Sequence, residues 1–508
     1  MLGELLRRMA QTTPDKPALI EGSRVVSYRE LDTRTESLAR GLLGLGLLPG
    51  DRVALHLLNS IETALSHFAC LKAGLISVPC NTQLKADEIG FALQHSQART
   101  YVVHPALYER ISTEQTKLPA IERTVLVNPE SPQVEVVNFD SLFVHHPERL
   151  LPPIDPNTDA VIIYTSGTTT RPKGVLHTHD SLFHCTRLYV EACELRSDDC
   201  ALLMCPMMHM SGLLQLLSTV LTGGTAVIVP PVDPVAALEA IEQEHCTQML
   251  GMPVAYHFLL REQERAPRRV DSIRLAVGGG DSVPVALIQA FQSVFGIPIR
   301  EGHGMSECAP NIVNPVAGLR PGSLGCPLPG VEARVDAAPG ETGELLLRTP
   351  GMFARYWRDQ EETRRAFQDG FLRTGDLARI DDDGYFWFAG RRKEIIVHGA
   401  ANVSPQEVEE IICRHPAVAQ AGVVGVPDAT WGESVRAFVV LKIGAILTGD
   451  ELRAFLFERL ADWKIPDLIY FESQLPLGPT AKVNRRLLRE KALEMSTGTG
   501  SLFGQWSA

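Results

Sequence analysis

The sequence predicts an α/β protein: a large N-terminal domain with parallel-rich αβ layers and a small β-rich subdomain, then a small α+β C-terminal domain. Three observations predict it. Short β-branched runs alternate with helical patterns through most of the chain. At 508 residues the chain exceeds what one hydrophobic core fills. The texture also changes twice, near Gly322 and again after Gly390.

The candidate strands are Arg52–Leu58, Leu75–Cys80, Arg99–Val103, Ala160–Ser166, Thr225–Pro230, Ser272–Gly280 and Pro298–Gly304. Helical segments separate them. Asp233 before Pro234 supplies an N-cap and a first-turn proline, with Leu238 and Ile241 on one face. Strands alternating with helices imply buried, largely parallel sheets, and such sheets bind ligands outside the carboxyl ends of their strands. Several of these strands run into glycine-rich ends, which marks those ends as candidate sites. From about Gly322 turn-rich strand segments follow, such as Glu341–Thr349 and Gly384–Arg391. A boundary at Gly390–Lys393 then divides residues 1–390 from a C-terminal domain of residues 391–508. There Ser404, Pro405 and Glu407 read as a capping box feeding Val408, Ile411 and Ile412.

Composition excludes several classes. A formal net charge of −12, with no basic run interleaved with aromatics, argues against a nucleic-acid surface. No apolar stretch reaches the roughly 18–20 residues that span a bilayer. The most apolar one, Leu213–Leu221, carries Gln215, Ser218 and Thr219 and reads as a core helix. The N-terminus lacks the apolar region and cleavage site of a secretory signal. Ten scattered cysteines form no C-x-x-C pair and no metal spacing, as expected of reduced thiols in a cytoplasmic protein.

The strongest local signal is Tyr164-Thr165-Ser166-Gly167-Thr168-Thr169-Thr170-Arg171-Pro172-Lys173-Gly174, directly after a strand. Small hydroxyl residues and glycine offer backbone N–H groups and hydroxyls to phosphate oxygens, and Lys173 adds a point charge. The spacing is not that of a Walker loop. This segment resembles the phosphate loop of the adenylate-forming superfamily, which holds acyl-CoA synthetases, peptide-synthetase adenylation domains and firefly-type luciferases. Thr170 departs from the pattern by replacing a glycine.

Four further segments match that superfamily in the same order. Gly302-His303-Gly304-Met305-Ser306-Glu307 resembles the segment that packs an aromatic on adenine, reaches phosphate through a hydroxyl and holds Mg²⁺ with the glutamate. His303 replaces the usual tyrosine and Ser306 the threonine. A hard cation takes one or two carboxylates plus phosphate oxygens, which suits Glu307. Arg373-Thr374-Gly375-Asp376 resembles the segment whose aspartate accepts both ribose hydroxyls. Gly390-Arg391-Arg392-Lys393 resembles the junction where Arg391 reaches the ribose and Lys393 is the hinge of a mobile C-terminal domain. Leu477–Lys482 resembles the loop bearing the catalytic lysine, here Lys482. Alone, Asp376 or Lys482 would read as a solvated charge; five segments in order identify the chain as a member of the superfamily.

The resemblance implies ATP, Mg²⁺ and CoA as cofactors and co-substrates, with nucleotide contacts from Thr165, Ser166, Gly167, Thr168, Thr169, Lys173, His303, Gly304, Met305, Ser306, Asp376, Arg391 and Lys482. Met210 stands where amino-acid adenylating domains carry an ammonium-binding aspartate, which argues against a free amino acid. His209 falls where acyl- and aryl-CoA ligases often carry a gating histidine, and Thr165 joins it and Lys482 as a catalytic candidate. Gly278, Gly279, Gly280, Met305 and Ala309 form the expected acid pocket, with Met252 and Val313 as apolar neighbours. No arginine stands in these segments for a second carboxylate. A medium- or long-chain fatty acid is the expected substrate and an aromatic acid the alternative. For the thiol, Gly399 in the loop after His398, with Trp431 and Trp463, is expected to face CoA. A carrier-protein phosphopantetheine is the alternative acceptor.

Overall fold

The computed structural model describes residues 2–84, 86–109, 121–128, 136–143, 150–165, 172–392, 394–398, 401–428, 431–478 and 482–497. The chain forms two compact units. The first comprises Met1–Gly280, Ala290–Ala333 and Leu347–Leu372; the second comprises Asp281–Gln289, Arg334–Leu346 and Arg373–Ala508.

In the first unit the β-branched runs become strands of two large sheets. One has nine strands, and six neighbours in it run parallel: Ile299–Met305, Leu275–Gly278, Gln248–Gly251, Cys200–Leu203, Thr225–Ile228 and Pro17–Glu21. The other has eight, parallel from Asp159–Thr165 through Ile76–Pro79 and Arg52–His56 to Thr100–Val103. Every strand expected ahead of Gly322 contributes to one of these two sheets. Parallel strands buried on both faces read as continuous apolar runs, which is why periodicity alone found them. The helix Ile61–Ala73 is buried at every residue, with its charged Glu62 and Lys72 paired to Arg24 and Asp32, and Met210–Thr222 is buried at ten of its residues. Asp233 caps Pro234–Glu244 by accepting from the Ala236 N–H at 3.0 Å.

The second unit carries a five-stranded sheet built on the long hairpin of Val418–Asp428 and Gly432–Leu441, with helices Pro405–Cys413, Gly449–Phe457 and Arg485–Thr497. Its core gathers Val408, Ile412, Val423, Val435 and Leu452. Only half of the expected capping box forms. Ser404 Oγ accepts from the Glu407 N–H at 3.4 Å, but the Glu407 carboxylate takes the Lys464 ammonium at 2.6 and 2.7 Å. A full positive charge outcompetes a neutral backbone donor for that carboxylate. Ahead of this domain, Phe371–Ile380 pairs antiparallel with Phe386–Arg391. Among the described residues no helix is long and apolar enough to cross a membrane, and all ten cysteines are free thiols.

Candidate active site

Parallel strands in register bring their carboxyl ends to one line. Gly251 faces Gly278, and Gly278 faces Glu301. The residues that follow these strands therefore share an edge: Pro206–His209, Met252, Gly279–Gly280 and His303–Met305. The site expected from sequence thus falls outside the carboxyl ends of the parallel strands. Gly279 leaves room there, because among the described residues a Cβ at that position would meet only the Gly302 carbonyl oxygen, at 3.6 Å. Gly280 has φ +83°, a left-handed conformation that glycine adopts without strain.

His209 is the N-cap residue of Met210–Thr222 and makes no side-chain cap there. Asn59 fixes the segment ahead of it, donating to the Cys205 carbonyl at 3.0 Å and accepting from the Met207 N–H at 2.9 Å. Gly212 is required one turn on, since a Cβ there would lie 2.3 Å from the Pro206 carbonyl oxygen.

Thr165 ends the strand Asp159–Thr165, which pairs antiparallel with Lys173–Thr178 in a register that sets Thr165 opposite Lys173. The loop between them is thus closed by two of the candidate residues. Ser166, Gly167, Thr168 and Thr169 lie outside the described residues, as do Lys393 and Gly399. The Lys173 ammonium pairs with the Glu362 carboxylate and sits 4.9 Å from the centroid of the Tyr356 ring.

His303, Gly304 and Met305 close the strand Ile299–Met305, and Ser306 and Glu307 form its tight turn into Cys308–Val313, where Ala309 lies. A Cβ on Gly304 would press Ala309 Cβ at 3.0 Å. Glu307 is buried, and its carboxylate oxygen Oε1 accepts from the Tyr356 hydroxyl at 2.7 Å. Burial and the Glu307 charge raise the Tyr356 phenol far above its ordinary range, so it stays a donor. Among the described residues no three His, Cys, Asp or Glu side chains cluster as a cage for a metal ion. One buried carboxylate in a turn fits Mg²⁺, which takes one or two carboxylates and draws its other ligands from phosphates and water.

In the second unit, Asp376 and Arg391 face each other across Phe371–Ile380 and Phe386–Arg391, with Arg391 Nε 3.2 Å from Asp376 Oδ1. Sequence reasoning missed the residue that shapes this turn. The buried Glu344 accepts from Arg373 at 2.7 Å, from Arg392 at 3.1 Å and from the Gly375 N–H at 3.2 Å. Its only sequence signal is a glutamate in an otherwise apolar strand, Gly343–Arg348.

Lys482 closes a loop in which the Gly478 N–H donates to its carbonyl at 2.6 Å. Three residues on, Arg485 bridges Glu409 at 2.7 Å and Glu394 at 3.5 Å. Burial pushes Glu409 up to about 7. Burial, with the Arg391 charge, lowers the Lys482 amine below its ordinary range against the pull of Asp281, Asp376 and Glu394. Lys482, Asp376 and Arg391, far apart in sequence, thus share one electrostatic neighbourhood. Trp431, about half exposed, stacks on His398 with centroids 5.2 Å apart. Trp463 is likewise half exposed, beside the Lys464 that Glu407 engages.

Residues 6–357 match the family of AMP-binding enzymes, and residues 407–482 match the AMP-binding enzyme C-terminal domain. The chain is 33% identical to a long-chain-fatty-acid–CoA ligase of Bacillus subtilis, over 97% of this chain and 95% of that one. It is 32% identical to a feruloyl-CoA synthase of an Amycolatopsis species, over 96% and 99%. Among solved structures it resembles the anthranilate CoA ligase AuaEII in complex with anthranoyl-AMP, with a TM-score of 0.91 and 29% identity over 97% and 98% of the two chains. With the strand-end site, the buried turn glutamate and the Lys482 neighbourhood in place, the chain belongs to the AMP-binding enzyme family and is an adenylate-forming ligase.

Proposed function

We propose that the protein activates a medium- or long-chain fatty acid as its acyl-adenylate and passes the acyl group to CoA. The reaction class is AMP-forming acid–CoA ligation, with ATP, Mg²⁺ and CoA. The observation that supports the choice of acid is the room at Gly279, together with the apolar character of the candidate pocket residues Met252, Met305, Ala309 and Val313.

In the first step the substrate carboxylate attacks the α-phosphorus of ATP and pyrophosphate leaves. The protein has little covalent work here, so its residues position groups and offset charge. The phosphate loop, residues Thr165 to Lys173, holds the phosphates; His303 packs on adenine; Ser306 reaches phosphate. Asp376 accepts the ribose hydroxyls and Arg391 supports it. Glu307 would hold Mg²⁺, which would offset phosphate charge when bound. His209 gates the carboxylate pocket. Lys482 sets its ammonium against the reacting oxygens. Residues 391–508 then turn about Lys393, bringing the Gly399 loop, Trp431 and Trp463 to the thiol, which attacks the acyl carbon and releases AMP.

An aromatic acid is the second reading, because the feruloyl-CoA synthase and the anthranilate ligase are similar over nearly the whole chain. Pyrophosphate release over straight-chain acids of graded length and a set of aromatic acids decides between them. Adding CoA or a phosphopantetheinylated carrier protein in separate arms identifies the acceptor. Gly279→Leu is expected to move the optimum to shorter chains, and an unchanged profile would remove this residue from the pocket.

A further inference from the structure

Side chains alternate faces along a strand, and directly paired residues on neighbouring strands share a face. On Lys173–Thr178, residues Lys173, Val175 and His177 therefore share one face. Tyr356 pairs with Val175 and joins them there. The Ser306–Glu307 turn, which belongs to the other sheet, is tied to this small platform at three points. His177 Nε2 lies 2.7 Å from the Ser306 carbonyl oxygen, the Phe353 N–H donates to the Glu307 carbonyl at 2.7 Å, and the Tyr356 hydroxyl donates to the Glu307 carboxylate at 2.7 Å.

A carbonyl can only accept, so Nε2 of the His177 ring bears the proton. Nδ1 then accepts from the Ser181 hydroxyl, 3.0 Å away. The His177 side chain is buried, and its orientation is thereby set from both ends. We propose that His177 and Tyr356 are positioning residues for the metal carboxylate: His177 fixes the backbone of the turn and Tyr356 fixes one oxygen of Glu307. This rests on the reading of Glu307 as the Mg²⁺ ligand. The same face carries Lys173, so one two-stranded platform sets the lysine and, through the turn, the carboxylate in fixed register.

Outer partners of a metal ligand typically contribute about 10–100-fold to metal affinity. The test titrates Mn²⁺ into the full-length protein saturated with a non-hydrolysable ATP analogue, read by electron paramagnetic resonance. Affinity for the analogue without metal is measured separately by calorimetry. Tyr356→Phe and His177→Leu are expected to weaken Mn²⁺ binding by about tenfold while metal-free analogue affinity stays within twofold. His177→Gln, which keeps a side-chain N–H, should recover part of the loss. Glu307→Gln is the control. If it weakens Mn²⁺ binding and the Tyr356 and His177 variants do not, the positioning roles are overturned and the metal reading stands. If Glu307→Gln leaves Mn²⁺ binding unchanged, the metal reading falls and the proposal with it. Equal loss of metal-bound and metal-free affinity in the Tyr356 and His177 variants would show general damage and also overturn the roles.

Discussion

Two lysines assigned to the same reaction are held in opposite ways. Lys173, in the first unit, is ion-paired with Glu362 and lies over the Tyr356 ring. Lys482, in the second, has no hydrogen-bond or ion-pair partner for its ammonium among the described residues, while burial and a nearby guanidinium lower its amine. The difference suits the role proposed for each charge. A lysine that holds leaving phosphates can rest on a carboxylate and exchange one anion for another. A lysine that stabilises charge appearing only in the transition state is most effective when no resting partner must be broken first.

The largest effect is therefore expected at Lys482. Lys482→Ala should slow adenylation by about 10²–10³. Thioester formation from supplied acyl-adenylate should stay near normal, because the lysine has no part in that step. Rapid-quench assays of each half-reaction decide, and unimpaired adenylation would break the contrast. Lys173→Ala should instead raise the KM for ATP by roughly tenfold, the scale of one charged hydrogen bond, with a smaller fall in kcat. The contrast sharpens with Glu362→Gln. If the carboxylate merely holds Lys173 at rest, the KM for ATP should fall by about two- to threefold, as for a partly exposed pair. A raised KM would show that Glu362 orients the lysine for phosphate.

A smaller effect concerns stability and compares the histidines of the first unit with its lysine. Burial pushes His67, His177 and His179 down to about 4 from the ordinary 6.5. The folded chain keeps them neutral while the unfolded chain protonates below about pH 6.5. Their contribution is thus full above pH 6.5 and is lost as pH falls through about 4. Urea unfolding between pH 7 and pH 5 should show proton uptake from each of the three buried histidines, offset in part by the proton that Glu409 releases. A flat profile would mean that these rings are solvated.

Much of this was legible in the sequence because parallel strands and their glycine-rich ends are local signals. The runs at Ala160–Thr165 and Ile273–Gly280 announce both the sheet and the site edge. Ser306 and Glu307 were legible as site residues, but their supports were not. His177, Tyr356 and Glu344 act through contacts with residues distant in sequence, and each looks like an ordinary strand residue until the sheets are paired. Lys464 is likewise paired across the fold, with Glu407, 57 positions earlier. Charge–charge competition of this kind is a property of the packed chain, with no local signature.

The close approach at Gly212 bears on how acid preference could change by evolution or by selection in the laboratory. Any Cβ there collides with the Pro206 carbonyl and would displace the start of the helix that His209 begins. Variation at Gly212 should therefore be purged as misfolded before it could alter chemistry. Among the described residues a Cβ on Gly279 would meet only one carbonyl oxygen, at contact distance, so that position can sample side chains one mutation at a time. A library meant to retarget the enzyme should keep Gly212 constant and randomise Gly279, because the two glycines differ in what a first mutational step can reach.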